Sequence, residues 1–321
     1  MTIAKLDGSA KIAGTATRRF ARDQADRLLG RLAFQIGRAN KSHDPDTVHD
    51  LRVSIRRFGQ VLRVFKPCFR GKDLRKIRRE LKQIMTAAGE VRNHDIALVL
   101  LASSKTAPRT SLRPKIQARR RELERSLLTF LKSWLERKLS LKWRATLERA
   151  AAGAREDFGK ATVARTARRM LPGMAQDFFE HGDKASSAKA SPRELHSFRI
   201  ALKKFRYTIE LFAPLCGPSV NPKLEAVRRV QTLLGDFNDF ETLRDIVRPY
   251  AGAAAVTTWV KKRQRKRLAE FRECWATSFA SAEERQRWID YLRHLAEPPS
   301  AKKPAGRSVP ESSPEGRGAV A

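Results

Sequence analysis

The sequence predicts an all-α protein, and three observations carry that expectation. Apolar residues recur at three- and four-residue spacing along almost the whole chain, and the Val, Ile and Thr alternation of half-buried strands is missing. A stretch of roughly 20 residues also recurs in chemical type 147 positions further on, which points to two related helical units.

In the first unit the pattern predicts helices over Thr17–Arg38, Asp46–Lys66, Asp73–Ala88, Arg92–Ala102, Arg113–Lys138 and Lys142–Ala154. In the second it predicts Ala161–Glu180, Pro192–Phe212, Pro222–Leu234, Phe240–Tyr250 and Val256–Ala280. The breaks carry Gly, Pro, Ser or Asn, and Ser191–Pro192 reads as an N-cap followed by proline at the first helical position. The units are expected at about residues 15–150 and 158–296, after a flexible segment at 1–14. From Glu297 onward five prolines with Ser, Gly and Lys replace the periodicity, so residues 297–321 are expected to be disordered.

Charge narrows the partner. The 321 residues include 67 Lys and Arg against 34 Asp and Glu, a formal excess of +33. Such an excess repels itself in a compact fold and favours a polyanion: nucleic acid, an anionic surface or a phosphate polymer. No apolar run approaches the roughly 20 residues of a membrane span, so no span is expected. Met1 to Thr17 lack an apolar stretch with a small-residue cleavage site, and the three cysteines are too scattered for a disulfide framework or a zinc site. A reducing, cytoplasmic setting is the expectation. No cofactor or metal is implied, since both glycine-rich phosphate-loop patterns are missing.

The repeat carries the chemistry. His49-Asp-Leu-Arg52-Val-Ser-Ile-Arg56-Arg57-Phe58 aligns with His196-Ser-Phe-Arg199-Ile-Ala-Leu-Lys203-Lys204-Phe205. On a helical wheel Arg52, Arg56 and Arg63 fall within about 60° of His49, opposite Leu51, Ile55, Phe58, Leu62 and Phe65. The second copy places His196, Arg199 and Lys203 at the same angles, with Arg206 and Tyr207 extending the face, Glu210 falling on it, and Arg57 and Lys204 flanking. An ordinary solvated face mixes signs, because acids pair with bases one turn away; a one-signed stripe is unfavourable unless an anion offsets it. On the next helix Arg75, Arg78, Arg79 and Lys82 make a basic arc, whereas its counterpart keeps only Lys223, Arg228 and Arg229. Two such helices side by side form a groove, and guanidinium forks suit the paired oxygens of phosphate.

The paired His-x-x-Arg-[VI]-x-[IL]-[RK]-[RK]-Phe helices are each followed about 40 residues later by a glycine and a short turn, Gly89-Glu-Val-Arg92-Asn93-His94-Asp95 and Gly235-Asp236-Phe237-Asn238-Asp239. Over roughly residues 15–295 this pattern resembles the CHAD family, the conserved-histidine α-helical domain. The resemblance implies two four-helix bundles related by pseudo-twofold symmetry, whose basic inward surfaces bind inorganic polyphosphate, and association with polyphosphate granules; binding without turnover is the expectation. By position His49, Arg52, Arg56, Arg57, His196, Arg199, Lys203, Lys204 and Tyr207 match the family's pattern. Gly59 stands where the family often has Arg, as Arg206 still does, and Asn93 stands where Asp commonly follows Arg.

Two rival readings remain at this point. His49–Asp50 and His94–Asp95 are HD dipeptides, as in metal-dependent phosphohydrolases, but the second repeat has Ser197 in place of Asp50 and nothing for His94. Nonspecific nucleic-acid binding fits the charge, with Arg119–Arg121 and Lys261–Arg267 as candidate grips; the repeated phenylalanines, however, lie on the apolar faces and read as core. His43, His181 and His294 are expected near helix ends or in loops.

Overall fold

The computed structural model describes residues 12–42, 44–69, 73–104, 109–152 and 161–295; the expected tail, most of the N-terminal segment and His43 lie outside these ranges. Among the described residues the regular elements are all helical, as the periodicity predicts. They are α1 (Thr17–Lys41), α2 (Pro45–Val64), α3 (Asp73–Ser103), α4 (Arg109–Glu136), α5 (Leu139–Ala152), α6 (Val163–Ser186), α7 (Pro192–Cys216), α8 (Val220–Val247), α9 (Ala253–Ser278) and α10 (Ala282–Arg293), with a 3-10 turn at Lys66–Cys68.

Local chemistry fixes the starts of the two helices that matter most. The Asp44 side chain accepts from the Asp46 amide with Pro45 opening α2. Ser191 and Glu194 form a reciprocal capping box with Pro192 opening α7. Each arrangement satisfies amides that a helix leaves unpaired at its first turn and contributes about 1 kcal/mol.

Two expected breaks do not occur. The helices placed on either side of Gly89 are one 31-residue helix, α3, and those on either side of Gly235 are one 28-residue helix, α8. The reason is apolar continuity: Ile77, Leu81, Ile84, Ala88 and Val91 are all buried, and so are Leu224, Val227, Val230, Leu234, Phe240, Leu243 and Val247. With the partly buried Phe237 bridging Leu234 and Phe240, three- and four-residue spacing runs through both glycines, and the burial outweighs the ~1 kcal/mol that a mid-helix glycine costs. The extended ends of α3 and α8 meet α4 and α9 in a second apolar cluster, where Leu101, Leu112 and Ile116 join Leu243, Val247 and Val256. A further correction concerns α10, which falls beyond the last expected helix; Ser281 caps it by accepting from the Glu284 amide, and Trp288 and Leu292 bury its inner face. His181, expected near an end, lies within α6 with Nδ1 2.7 Å from the Asp177 carbonyl one turn back.

Helices α1–α5 pack among themselves, α6–α10 do likewise, and the two sets meet through α3 on α8, α2 on α7 and α1 on α6. The seam pairs equivalent positions. Phe65 and Phe212, which are 147 residues apart, pack edge to face with centroids 5.8 Å apart, and Phe20 packs against both. Gln60 Nε2 donates to Thr208 Oγ1 at 2.8 Å across the α2–α7 crossing. The starts of α1 and α6 are tied by a two-residue bridge, Thr17 N to Ala161 O and Val163 N to Thr15 O, both 2.9 Å.

One close approach gives a test of this packing. The Trp275 indole, held by its Nε1 donating to Asp183 Oδ1 at 3.0 Å, lies where a Cβ on Gly182 would project, whereas Gly173 in the same helix has open space. Gly182→Ala is expected to lose about 1–3 kcal/mol by overpacking. Gly173→Ala should gain about 0.5–1 kcal/mol from reduced backbone freedom. Thermal unfolding of both variants checks the opposite signs.

Candidate anion-binding site

The cationic stripes of α2 and α7 face inward onto α3 and α8. Arg52 Nη1 donates to the Met85 carbonyl of α3 at 3.4 Å, and Arg199 Nη1 donates to the Leu234 carbonyl of α8 at 3.0 Å. Gly89 makes the first of these approaches sterically feasible, since a Cβ there would stand 2.6 Å from Arg52 Nη1. This close approach is the role of a glycine that the sequence pattern assigned to a turn.

The groups so placed act strongly on one another. Burial pulls the Arg52 guanidinium down to about 10, helped by the charges of Arg56 and Arg92 and opposed by Asp239 and Glu90. Burial likewise lowers Arg199, against the pull of Asp239 and Glu241. Lys203 responds most: burial, then Arg199, Arg56 and Arg52, bring its ammonium down to about 7, with Asp239 opposing. Arg56 Nε is buried and has no hydrogen-bond partner. Asp239 is itself pushed up by burial, although Arg199, Arg92 and Lys203 pull it down. Its counterpart in the first repeat, 146 residues earlier, is the neutral Asn93. One half of the cluster therefore has a carboxylate at this position and the other half does not.

A cleft of about 480 Å³ opens from this cluster between α2, α3 and α7. Arg56 and Lys203 line it together with Arg63, Arg78, Lys82, Lys204 and Tyr207, and none of its described lining residues is acidic. Arg78 is anchored by donating to the Leu62 carbonyl at 2.6 Å. Sequence reasoning missed Gln60 and Lys66, which also line the cleft. Lys66, about 100° from His49 on the expected helix, sits instead on the 3-10 turn, and Gln60 is brought to the cleft through the α2–α7 crossing.

The remaining expected site residues lie elsewhere. His49 and His196 lie at the surface, one turn before Arg52 and Arg199; partial desolvation of its ring and then the charges of Arg92 and Arg56 lower His49, opposed by Asp50 and Asp46. Arg75 and Arg79 are exposed on α3 outside the cleft. Arg229 is exposed and acts on Cys274 of α9, away from the cluster. Arg57 and Arg228 line a separate hollow of about 370 Å³. Arg206 stacks over the Tyr207 ring at 4.6 Å. The wheel places residues on a helix face but does not say which helix that face meets.

Both aspartates of the HD dipeptides are engaged by arginine. Asp50 pairs with Arg38 at 3.1 Å, and buried Asp95 accepts from Arg120 Nε at 2.8 Å. His94 is buried with Nδ1 2.8 Å from the Glu90 carbonyl. No cluster of three or more His, Cys, Asp or Glu suited to a metal ion occurs among the described residues. No described helix is long and apolar enough to cross a membrane.

The family model described as CHAD domain matches residues 19–248. The fold is similar to the crystal structure of the CHAD domain from the plant Ricinus communis, with a TM-score of 0.64 and 20% identity over 87% of this chain and 93% of that one. It is also similar to PptA from Streptomyces chartreusis, with a TM-score of 0.57 and 15% identity over 82% of this chain and all of that one. Among curated proteins none matches significantly.

The depressed Lys203 has a consequence for stability. Its ordinary value of 10.5 falls to about 7 in the fold, so between those pH values the unfolded chain binds the extra proton and stability rises with pH. Below about 7 the full penalty of a buried charge applies. Lys203→Met is expected to be more stable than the parent at pH 6, with the difference shrinking as pH approaches 10. Urea midpoints of both proteins across this range check it; a pH-independent difference would contradict the assignment.

Proposed function

The chain belongs to the CHAD family, and we propose that it binds inorganic polyphosphate through the α2–α7 cluster and its cleft, without turnover, in association with polyphosphate granules. The observation that carries this reading is the acid-free lining of the cleft beside four inward cations, Arg52, Arg56, Arg199 and Lys203. Like charges held this close destabilise the free protein, and a ligand with repeated negative charge relieves that cost at several positions at once. A chain of phosphates offers oxygens at short intervals, which guanidinium forks grip in two-point geometry while Lys66, Lys82 and Lys204 supply point charge along the walls.

Binding without turnover is supported by the state of the titratable groups. The HD carboxylates are neutralised by Arg38 and Arg120, and the histidines of the repeat stand outside the cleft. Nucleic acid fits the charge less well, because the phenylalanines of the repeat are buried in the core and offer no platform on which bases stack.

Each neutralised phosphate releases condensed counterions, so affinity for long-chain polyphosphate should fall steeply with salt, as it does for other polyanions. Arg56→Gln and Arg199→Gln are expected to weaken binding by about tenfold each and to flatten the salt slope, consistent with losing a charge-assisted contact of roughly 1.5–3 kcal/mol. Lys261→Gln and Arg265→Gln on exposed α9 should bind like the parent. Filter-binding titrations across a salt series check both arms; the opposite ranking would place the site on α9.

A further inference from the structure

The cleft has a counterpart that is chemically different. The repeat offset of 147 carries Arg63 to Glu210, Gly59 to Arg206, Gln60 to Tyr207, and Lys204 back to Arg57. Gln60 and Tyr207 line both cavities, so the second hollow is the pseudo-symmetric mate of the first. Where the first cleft presents Arg63, the second presents a carboxylate.

Glu210 is the focus of that second hollow. Its Oε1 lies 3.7 Å from Arg206 Nη1 and 3.7 Å from Arg228 Nη2, and its Oε2 lies 3.8 Å from Arg57 Nη2. Three guanidiniums, from α2, α7 and α8, thus converge on one carboxylate whose side chain is only 18% exposed. These distances are those of ion pairs rather than short hydrogen bonds, and both Glu210 Oε2 and Arg206 Nε are buried without a hydrogen-bond partner. The arrangement is a set of phosphate-binding groups around an anion that fits it loosely.

We propose that Glu210 is an internal anion that holds the second hollow closed to phosphate chains, so that this protein engages polyphosphate on one side of its pseudo-twofold axis. The inference rests on the polyphosphate reading given above and adds to it the residue that makes the two halves unequal. A ligand entering the second hollow must displace a tethered carboxylate or accept its repulsion, whereas the first cleft presents no such competitor. With Glu210 neutral, Arg57, Arg206 and Arg228 become an anion site like the first.

Tripolyphosphate, too short to fill both cavities at once, is the probe, titrated by calorimetry at low salt. The parent should bind one equivalent, and Glu210→Gln two. Glu225→Gln removes a carboxylate that pairs with Arg228 from an exposed position, 73% accessible, and should keep one equivalent despite the same change in net charge. The reciprocal variant Arg63→Glu, at an exposed position, should lose the parent's site by about tenfold or more in affinity, so the proposal remains testable should Glu210→Gln fold poorly. Two equivalents in the parent, one in Glu210→Gln, or unchanged affinity in Arg63→Glu would each overturn the inference while leaving polyphosphate binding intact. No binding by any of these proteins would overturn both.

Discussion

Mutual repulsion among Arg52, Arg56, Arg199 and Lys203 is the constraint around which the molecule is arranged. Arg56 lowers the proton affinity of Arg52, Arg199 and Lys203, and Lys203 falls to about 7 because its burial, the largest cause, is joined by the charges of Arg199, Arg56 and Arg52. Chains do not hold such groups together unless packing elsewhere overrides the repulsion. Here the apolar faces of the same helices do so: Phe58, Phe65, Phe198, Phe205 and Phe212 are all buried beneath the stripes. The aromatic face fixes the helix, and the fixed helix concentrates the charge.

The long helices complete the arrangement. α3 runs beneath the α2 stripe and α8 beneath the α7 stripe, and the carbonyls of Met85 and Leu234, just before Gly89 and Gly235, hold Arg52 and Arg199. Those carbonyls are neutral, so they orient the guanidiniums without cancelling their charge. Asp239 is the carboxylate that opposes the shifts of Arg52, Arg199 and Lys203 alike, and it belongs to the second repeat alone. The asymmetry between Asn93 and Asp239 at the centre parallels that between Arg63 and Glu210 at the cavities. In both places the second repeat carries the acid.

Much of this was legible in the sequence because the repeat compares a helix with itself. Positions shared by His49–Phe58 and His196–Phe205 separate a one-signed stripe from an apolar one, and the start of α7 follows from Ser191-Pro192, whereas the Asp44 cap opens α2 at Pro45, one residue before the expected Asp46. Local reading failed where the deciding interaction is remote. Gly89 reads as a break until Arg52 is seen lying against it, and the convergence of Arg57, Arg206 and Arg228 on Glu210 joins three helices that no single wheel relates. The capping signal of α10, Ser281-Ala-Glu-Glu284, was present in the chain, and the buried Trp288 and Leu292 that confirm it act through tertiary packing.

The central claim is that this cluster recognises the spacing of phosphates as well as their charge. Competition between labelled long-chain polyphosphate and duplex DNA of matched total charge, repeated over a salt series, tests it most directly, because screening removes the generic attraction of a chain with a +33 excess and leaves the contacts that depend on geometry. The account predicts that polyphosphate is preferred and that the preference persists at high salt. Equal or better competition by DNA at every salt concentration would contradict it.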